Sequence, residues 1–81
     1  MQLLQLDFLR AELHIGLTFA TVALTARHPD KVHRNRVNAR KAYDSFRRYL
    51  PSASLSNVES KELNETAVEL KHLLTQLGES L

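Results

Sequence analysis

The sequence has no cysteine and no tryptophan, and its 81 residues include only two glycines and two prolines. Without cysteine there is no disulfide framework, thiol nucleophile or thiolate metal site. The scarcity of helix-breaking residues and the absence of runs of β-branched residues favour an all-α fold over a sheet. A chain of this length supports one hydrophobic core, so we expect residues 1–81 to form a single helical domain.

Long hydrophobic runs are also missing. The longest stretch without a charged residue, Leu13 to Ala26, has 14 residues, whereas a membrane-spanning helix needs about 20. The N-terminal sequence MQLLQLDFLR has no basic cluster ahead of its apolar residues and includes Asp7, which is unlike a secretion signal. We therefore expect a soluble, cytoplasmic protein with no membrane partner.

The spacing of apolar residues predicts three long antiparallel helices, at about 3–27, 29–50 and 56–78. Pro29 suits the first position of the second helix, and Pro51 stops it. Ser56 and Glu59 form the S-x-x-E pattern of a capping box, and Gly78 stands where a left-handed residue ends a helix. The fold is therefore expected to be a helical bundle.

The first helix has an apolar arc that covers roughly two-thirds of its circumference, which is wider than the apolar stripe of an ordinary surface helix. Such a helix packs against two neighbours, so it should be the central element. Gly16 lies in this arc, where the missing side chain lets another helix approach closely.

Glu12 also lies within the apolar arc, beside Ile15, Phe19 and Ala23. A partly buried carboxylate can be a general acid or a ligand anchor, or it can pair with an arginine from a neighbouring helix. We favour the ion pair, because the second helix supplies many cations.

Charge is distributed unevenly. Residues 27–50 contain eight of the eleven Lys and Arg residues, whereas residues 56–81 contain five Glu. The second helix thus has a basic face, and we single out its residues as possible partner-binding residues: Arg34, Arg36, Arg40, Lys41, Arg47 and Arg48.

This basic face has two interpretations. It could attract a phosphate backbone or another anionic partner. Alternatively, it is a solvated face whose charges are partly balanced by Asp44 and by the third helix, with Glu59 near Arg47 and Glu65 near Lys41. We favour the second interpretation.

No pattern of a catalytic or metal site is present. The four histidines form no i, i+4 pair with one another, so metal binding has no support, and His14 is expected to be a solvated surface residue. No nucleophile elbow or Gly-rich turn is found. We expect no enzyme activity, no catalytic residue, no cofactor, no metal and no small-molecule substrate.

The first two helices resemble one tetratricopeptide repeat with an enlarged middle. Ile15-Gly16-x-x-Phe19 corresponds to the family's L-G-x₂-Y pattern, Ala39-x₃-Tyr43 corresponds to A-x₃-F, and Pro51 follows. Two departures are that Glu12 replaces the family's Trp and that Gly16 and Ala39 are about twice as far apart as in that repeat. The resemblance implies a helical hairpin with a capping third helix and a protein-interaction module, without assigning any binding residue.

Three helices are expected to leave part of the first helix uncovered, above all near its N-terminus. We therefore predict a homodimer that buries this end, through Leu3, Leu4, Leu6, Phe8 and Leu9. The predicted function is a non-enzymatic protein–protein interaction or assembly module that associates with itself. The alternative is nucleic-acid or anionic-partner binding through the basic face of the second helix.

Overall fold

The protein is an all-helical bundle in a computed structural model that describes residues 2–81, with side chains described from Gln5 onward. Its helices are α1 (Gln2–Thr25), α2 (Pro29–Tyr49) and α3 (Asn57–Gln76), with a short 3₁₀ turn at Leu50–Ser52. Each predicted helix boundary lies within two residues of the observed one. The predicted fold class is confirmed.

The ends of the helices follow the local signals in the sequence. Pro29 occupies the first turn of α2, and Pro51 lies in the 3₁₀ turn after it. At the start of α3, Ser56 Oγ accepts a hydrogen bond from the Glu59 N–H at 3.1 Å, and Glu59 Oε1 accepts one from the Ser56 N–H at 2.8 Å. The capping box is therefore confirmed.

The core is built from one face of each helix. Phe46 of α2 is its largest fully buried side chain. The other members are small or aliphatic, apart from Tyr43: Leu6, Leu9, Leu13, Ala20, Ala39, Tyr43, Leu63, Leu70 and Leu74. Leucine from α1 and α3 thus packs around the aromatic residues of α2.

The central helix is α1, as its wide apolar arc predicts. It packs against both α2 and α3, which contact each other much less. A Cβ atom on Gly16 would lie 2.5 Å from Leu70 Cδ2 of α3 and 3.4 Å from Ala42 Cβ of α2. Gly16 is therefore a point at which the three helices approach one another closely.

Two pairs of contacts define the directions of the helices. Phe8 contacts Tyr49, and further along α1 the backbone at Gly16 lies against Ala42, so α2 runs antiparallel to α1. Over nearly the same stretch of α1, Arg10 pairs with Glu62 of α3 and Gly16 meets Leu70. The third helix therefore runs parallel to α1, in an up–down–up bundle.

The bundle is 41 Å long and 19 by 17 Å across. None of the helices in the described part of the chain is long and apolar enough to cross a membrane.

Candidate interaction surface

The basic face of α2 is divided by the chain end that follows α3. Glu79 Oε2 accepts a hydrogen bond from Arg36 Nε at 2.5 Å, and Glu79 Oε1 accepts one from Arg40 Nη1 at 2.9 Å. Arg40 Nε also donates to Asp44 Oδ1 at 3.0 Å. Two of the six cations on the predicted face therefore pair with carboxylates of the protein.

Gly78 places Glu79 in this position. Its φ of +92° is a left-handed conformation that glycine adopts without strain. The chain turns back there, with the Glu79 N–H donating to the Leu74 carbonyl and the Gly78 N–H donating to the Thr75 carbonyl, both at 3.0 Å. This is a Schellman ending of α3, and it directs the Glu79 side chain towards α2.

The ion pairs shift the pKa values of Glu79 and Arg40. The hydrogen bond from Arg36 lowers the pKa of the Glu79 carboxyl, partial burial opposes that effect, and the bond from Arg40 adds to it. Hydrogen bonds to Asp44 and Glu79 raise the pKa of the Arg40 guanidinium. The carboxylate form of Glu79 is thus stabilised in the folded chain.

The other cations of the basic face differ in their surroundings. Arg47 Nη1 donates to the Tyr43 hydroxyl at 3.3 Å, and its guanidinium lies 5.9 Å from the centre of the Tyr43 ring. Arg34, Lys41 and Arg48 are exposed, and within the described residues none of them pairs with a carboxylate. Because they are spaced seven residues apart, they form one row along α2. We call these three residues the cation row.

The structure does not contain the predicted pairs Glu59–Arg47 and Glu65–Lys41. Those predictions treated the connection to α3 as a tight turn. Instead, the connection packs against the start of α1, where the Ser54 N–H donates to Gln5 Oε1 at 3.3 Å.

The third helix lies at a different height beside α2, since Gly16 meets both Ala42 and Leu70 and these two residues are therefore level. Arg47 consequently lies across a shallow groove from Lys71 and Val68 rather than near Glu59. The groove also contains Tyr43 and Phe46 in its lining and has a volume of about 350 Å³.

Two residues of the predicted N-terminal dimer surface are used within the chain itself. Leu6 and Leu9 are 5% and 1% exposed and belong to the core. Phe8 is 42% exposed and packs edge-on against Tyr49, with the ring centres 5.4 Å apart. Leu3 and Leu4 lie outside the described side chains.

A different apolar surface is left open. Phe8, Ile15 and Tyr49 are 42%, 44% and 48% exposed, and Phe19 is half-buried beside them. We call this surface the outer face, and it consists of Phe8, Glu12, Ile15 and Phe19 of α1 with Tyr49 of α2. Its residues on α1 are four, three and four positions apart, so they form one stripe along the helix.

The outer face lies away from α3. Arg10 of α1 pairs with Glu62 of α3, its Nε lying 2.6 Å from Glu62 Oε2. Phe8 and Ile15 are roughly 150° from Arg10 around α1 at about 100° per residue. They therefore lie on the opposite flank, where α3 does not cover them and both side chains stay exposed.

Glu12 is half-buried in this stripe and has no ion pair or side-chain hydrogen bond within the described residues. The predicted pairing with an arginine of a neighbouring helix is therefore absent there. The engaged arginines of α2 point towards Glu79 beside α3, whereas Glu12 lies on the other flank of α1.

Three ion pairs were not foreseen in the sequence: Arg10–Glu62, and the pairs of Glu79 with Arg36 and Arg40. The pairs of Glu79 could have been predicted from Gly78. A glycine that ends a helix in a left-handed conformation reverses the chain, so the next side chain faces back along the bundle. The Arg10–Glu62 pair depends on how α1 and α3 are aligned, and the local spacing of residues does not determine that alignment.

His14 is exposed, as predicted. Among the described residues, no group of three or more His, Asp or Glu side chains is arranged to hold a metal ion. No protein-family model, curated protein or solved structure matches the chain.

Proposed function

We propose that the protein is a non-enzymatic interaction module that associates with itself through the outer face. The observation that supports this proposal is the simultaneous exposure of Phe8, Ile15 and Tyr49 on one flank of the α1–α2 hairpin. Scattered apolar residues on a surface are ordinary, but a continuous apolar stripe is typical of an interaction site.

The spacing of the stripe suits a helical partner. Residues at alternating intervals of three and four form the seam through which one helix packs on another. Burying apolar area contributes roughly 25 cal/mol per Å², so the exposed area of these three large side chains favours association.

The tetratricopeptide-like arrangement belongs to the same proposal. In that family a helical hairpin packs against its neighbours on both sides, which leaves a terminal hairpin with an open flank. Here α3 covers one flank of the hairpin and the outer face is the other. The close packing of Gly16 against Ala42 and Leu70 is compatible with that arrangement.

A non-enzymatic role is favoured by the way the charged groups are used. Glu79 and Glu62 are each neutralised by arginine, so neither is held in the protonated state that a general acid needs. The hollows that the described residues line between α2 and α3 and along α2 and α3 are open to solvent.

The test is sedimentation of the wild-type chain and of Ile15→Asp at concentrations from about 5 to about 200 µM. We expect a concentration-dependent dimer for the wild type and a monomer for Ile15→Asp, because a carboxylate would be buried in an apolar interface. Val58→Asp is the matched control, since Val58 is 78% exposed on α3, and it should dimerise normally. A wild type that sediments as a 9.2 kDa monomer throughout would contradict self-association.

A second candidate is binding of nucleic acid, which the unpaired cation row favours. Neutralising three phosphates would give binding to a DNA duplex a logarithmic salt dependence with a slope of about −3. If this candidate is right, the wild type shifts a DNA duplex in a gel at low salt, and replacing Arg34, Lys41 and Arg48 with Glu abolishes the shift. The control Lys61→Glu on α3 should leave the shift unchanged. No shift of the wild type at low salt would exclude it.

A further inference from the structure

We propose that a second copy of this chain covers the outer face in a two-fold arrangement that places Glu12 of each copy between Lys41 and Arg48 of the other. This inference rests on the proposed self-association and specifies its geometry. It accounts for a carboxylate and two cations that have no ion-pair partner within the described chain.

Glu12 lies among the apolar side chains of the outer face. It stands four residues after Phe8 and three before Ile15, so all three side chains share one flank of α1. A carboxylate in an apolar stripe becomes costly once a partner removes water from it, unless the partner supplies a cation or a hydrogen-bond donor. The outer face therefore favours a partner that places a cation opposite Glu12.

Two members of the cation row lie next to the outer face. Lys41 and Arg48 line a shallow hollow on α2 of about 260 Å³, together with Ser45, Tyr49 and Asp44. The one acid of this hollow, Asp44, accepts a hydrogen bond from Arg40. Because Tyr49 belongs to both the hollow and the outer face, the two surfaces are continuous.

Glu12 and this hollow lie at the same height along the bundle. Phe8 lies against Tyr49 and Gly16 lies against Ala42, so Glu12, midway between them, is level with Ser45. Lys41 and Arg48 are four residues before and three residues after Ser45, which is about one helical turn on either side. Glu12 is thus at the height of the hollow but on the neighbouring helix.

A two-fold axis parallel to the helices places α1 of one copy over α2 of the other at the same height. Each Glu12 then meets the partner's hollow, and the contact occurs twice because two-fold interfaces are self-complementary. The Ile15 side chains of the two copies are brought towards the same interface. A nucleic acid would instead meet Glu12 and the apolar stripe, which its phosphates do not complement.

The experiment exchanges the charges. Glu12→Lys places like charges opposite each other in a homodimer, and Lys41→Glu with Arg48→Glu does the same from the other side. We expect each to weaken dimerisation by about 100-fold at low salt. An equimolar mixture of the two variants should restore a dimer of near-wild-type affinity, because both contacts in that heterodimer are complementary.

The controls are charge changes on α3, which lies outside this face. Glu69→Lys and Lys61→Glu, alone and mixed, should dimerise as the wild type does. Circular dichroism establishes that every variant is folded, and fluorescent labels of two colours identify the heterodimer.

Each outcome is decisive. Restoration in the mixture supports the two-fold pairing. If the charge variants dimerise weakly and their mixture does not restore the dimer, the two-fold pairing is overturned. It is also overturned if both charge variants dimerise normally while Ile15→Asp is monomeric. That last result leaves the proposed self-association intact. A monomeric wild type overturns both proposals, and a duplex shift by that monomer would make nucleic acid the occupant of the cation row.

Discussion

At the scale of single residues, Gly16 connects the three helices. A Cβ at this position would lie 2.5 Å from Leu70 Cδ2, and Leu70 is fully buried and cannot move freely. Alanine has a helix propensity about 1 kcal/mol more favourable than glycine, but overpacking a core costs about 1–3 kcal/mol. We expect Gly16→Ala to lower the free energy of unfolding by about 1 kcal/mol, measured by urea denaturation.

The same contact provides its own control. Leu70→Val shortens the side chain that the new methyl group would meet, at a cost of about 1 kcal/mol. In that background Gly16→Ala should be neutral or stabilising, because the clash is relieved while the gain in helix propensity remains. Strictly additive effects of the two substitutions would contradict the packing role of Gly16.

Glu79 is the second residue whose effect is measurable. It is 15% exposed and bonds to two arginines that are about one-third exposed, so solvent screening reduces the value of these ion pairs. We expect Glu79→Gln to lower the free energy of unfolding at pH 7 by about 1 kcal/mol. Glu69→Gln, on the exposed part of α3, should have little effect.

The difference between wild type and Glu79→Gln should depend on pH. The folded pKa of Glu79 lies below its ordinary value of 4.5, so its contribution is fully present above about pH 4.5 and is lost as pH falls through the folded pKa. Chemical denaturation from pH 7 to pH 2 should show the two free energies converging in acid. A constant difference would contradict the ion pairs.

At the scale of the helices, the start of α3 is the most strongly specified element. The side chain of Ser56 caps it, and Glu59 returns a second hydrogen bond. Ser56→Ala removes one of these bonds, and we expect a loss of about 1 kcal/mol in the free energy of unfolding. Ser54→Ala is the control, since Ser54 makes its hydrogen bond through the backbone N–H; an equal loss there would contradict the capping role.

The helices themselves were predictable because their signals are local. Apolar spacing identified the buried faces, and Pro29, Pro51 and Ser56 marked the ends within two residues. Local signals did not show whether the predicted N-terminal dimer surface is exposed. Leu6 and Leu9 are buried by their own bundle, and a pattern of apolar residues does not show whether a neighbour or a partner covers them.

At the scale of the whole molecule, self-association should stabilise the fold, because a partner that binds only the folded state shifts the unfolding equilibrium. We expect the melting temperature of the wild type to rise by about 5 °C between about 5 and about 200 µM protein. Ile15→Asp should melt at a temperature that does not depend on concentration. A wild type with the same independence would argue against the outer face as an interface.

The candidate surface was predictable only in part. Its residues were visible in the sequence as a wide apolar arc and a basic face. The separation of the basic face into engaged and unpaired cations was not visible, because it depends on Glu79, which is 39 residues away from Arg40. Ion pairs between distant segments follow from the relative heights of the helices, which the length and path of the connection determine.

The sequence by itself determined the three helices, their ends, the central place of α1 and the use of Gly16 for close packing. These features follow from periodicity, capping and side-chain size, which act within a few residues. The tertiary structure alone decided that Glu79 neutralises Arg36 and Arg40, that Leu6 and Leu9 are internal, and that Glu12 lies on an open apolar flank. Each of these features depends on which flank of α1 is covered by α3. That placement results from packing across the whole bundle.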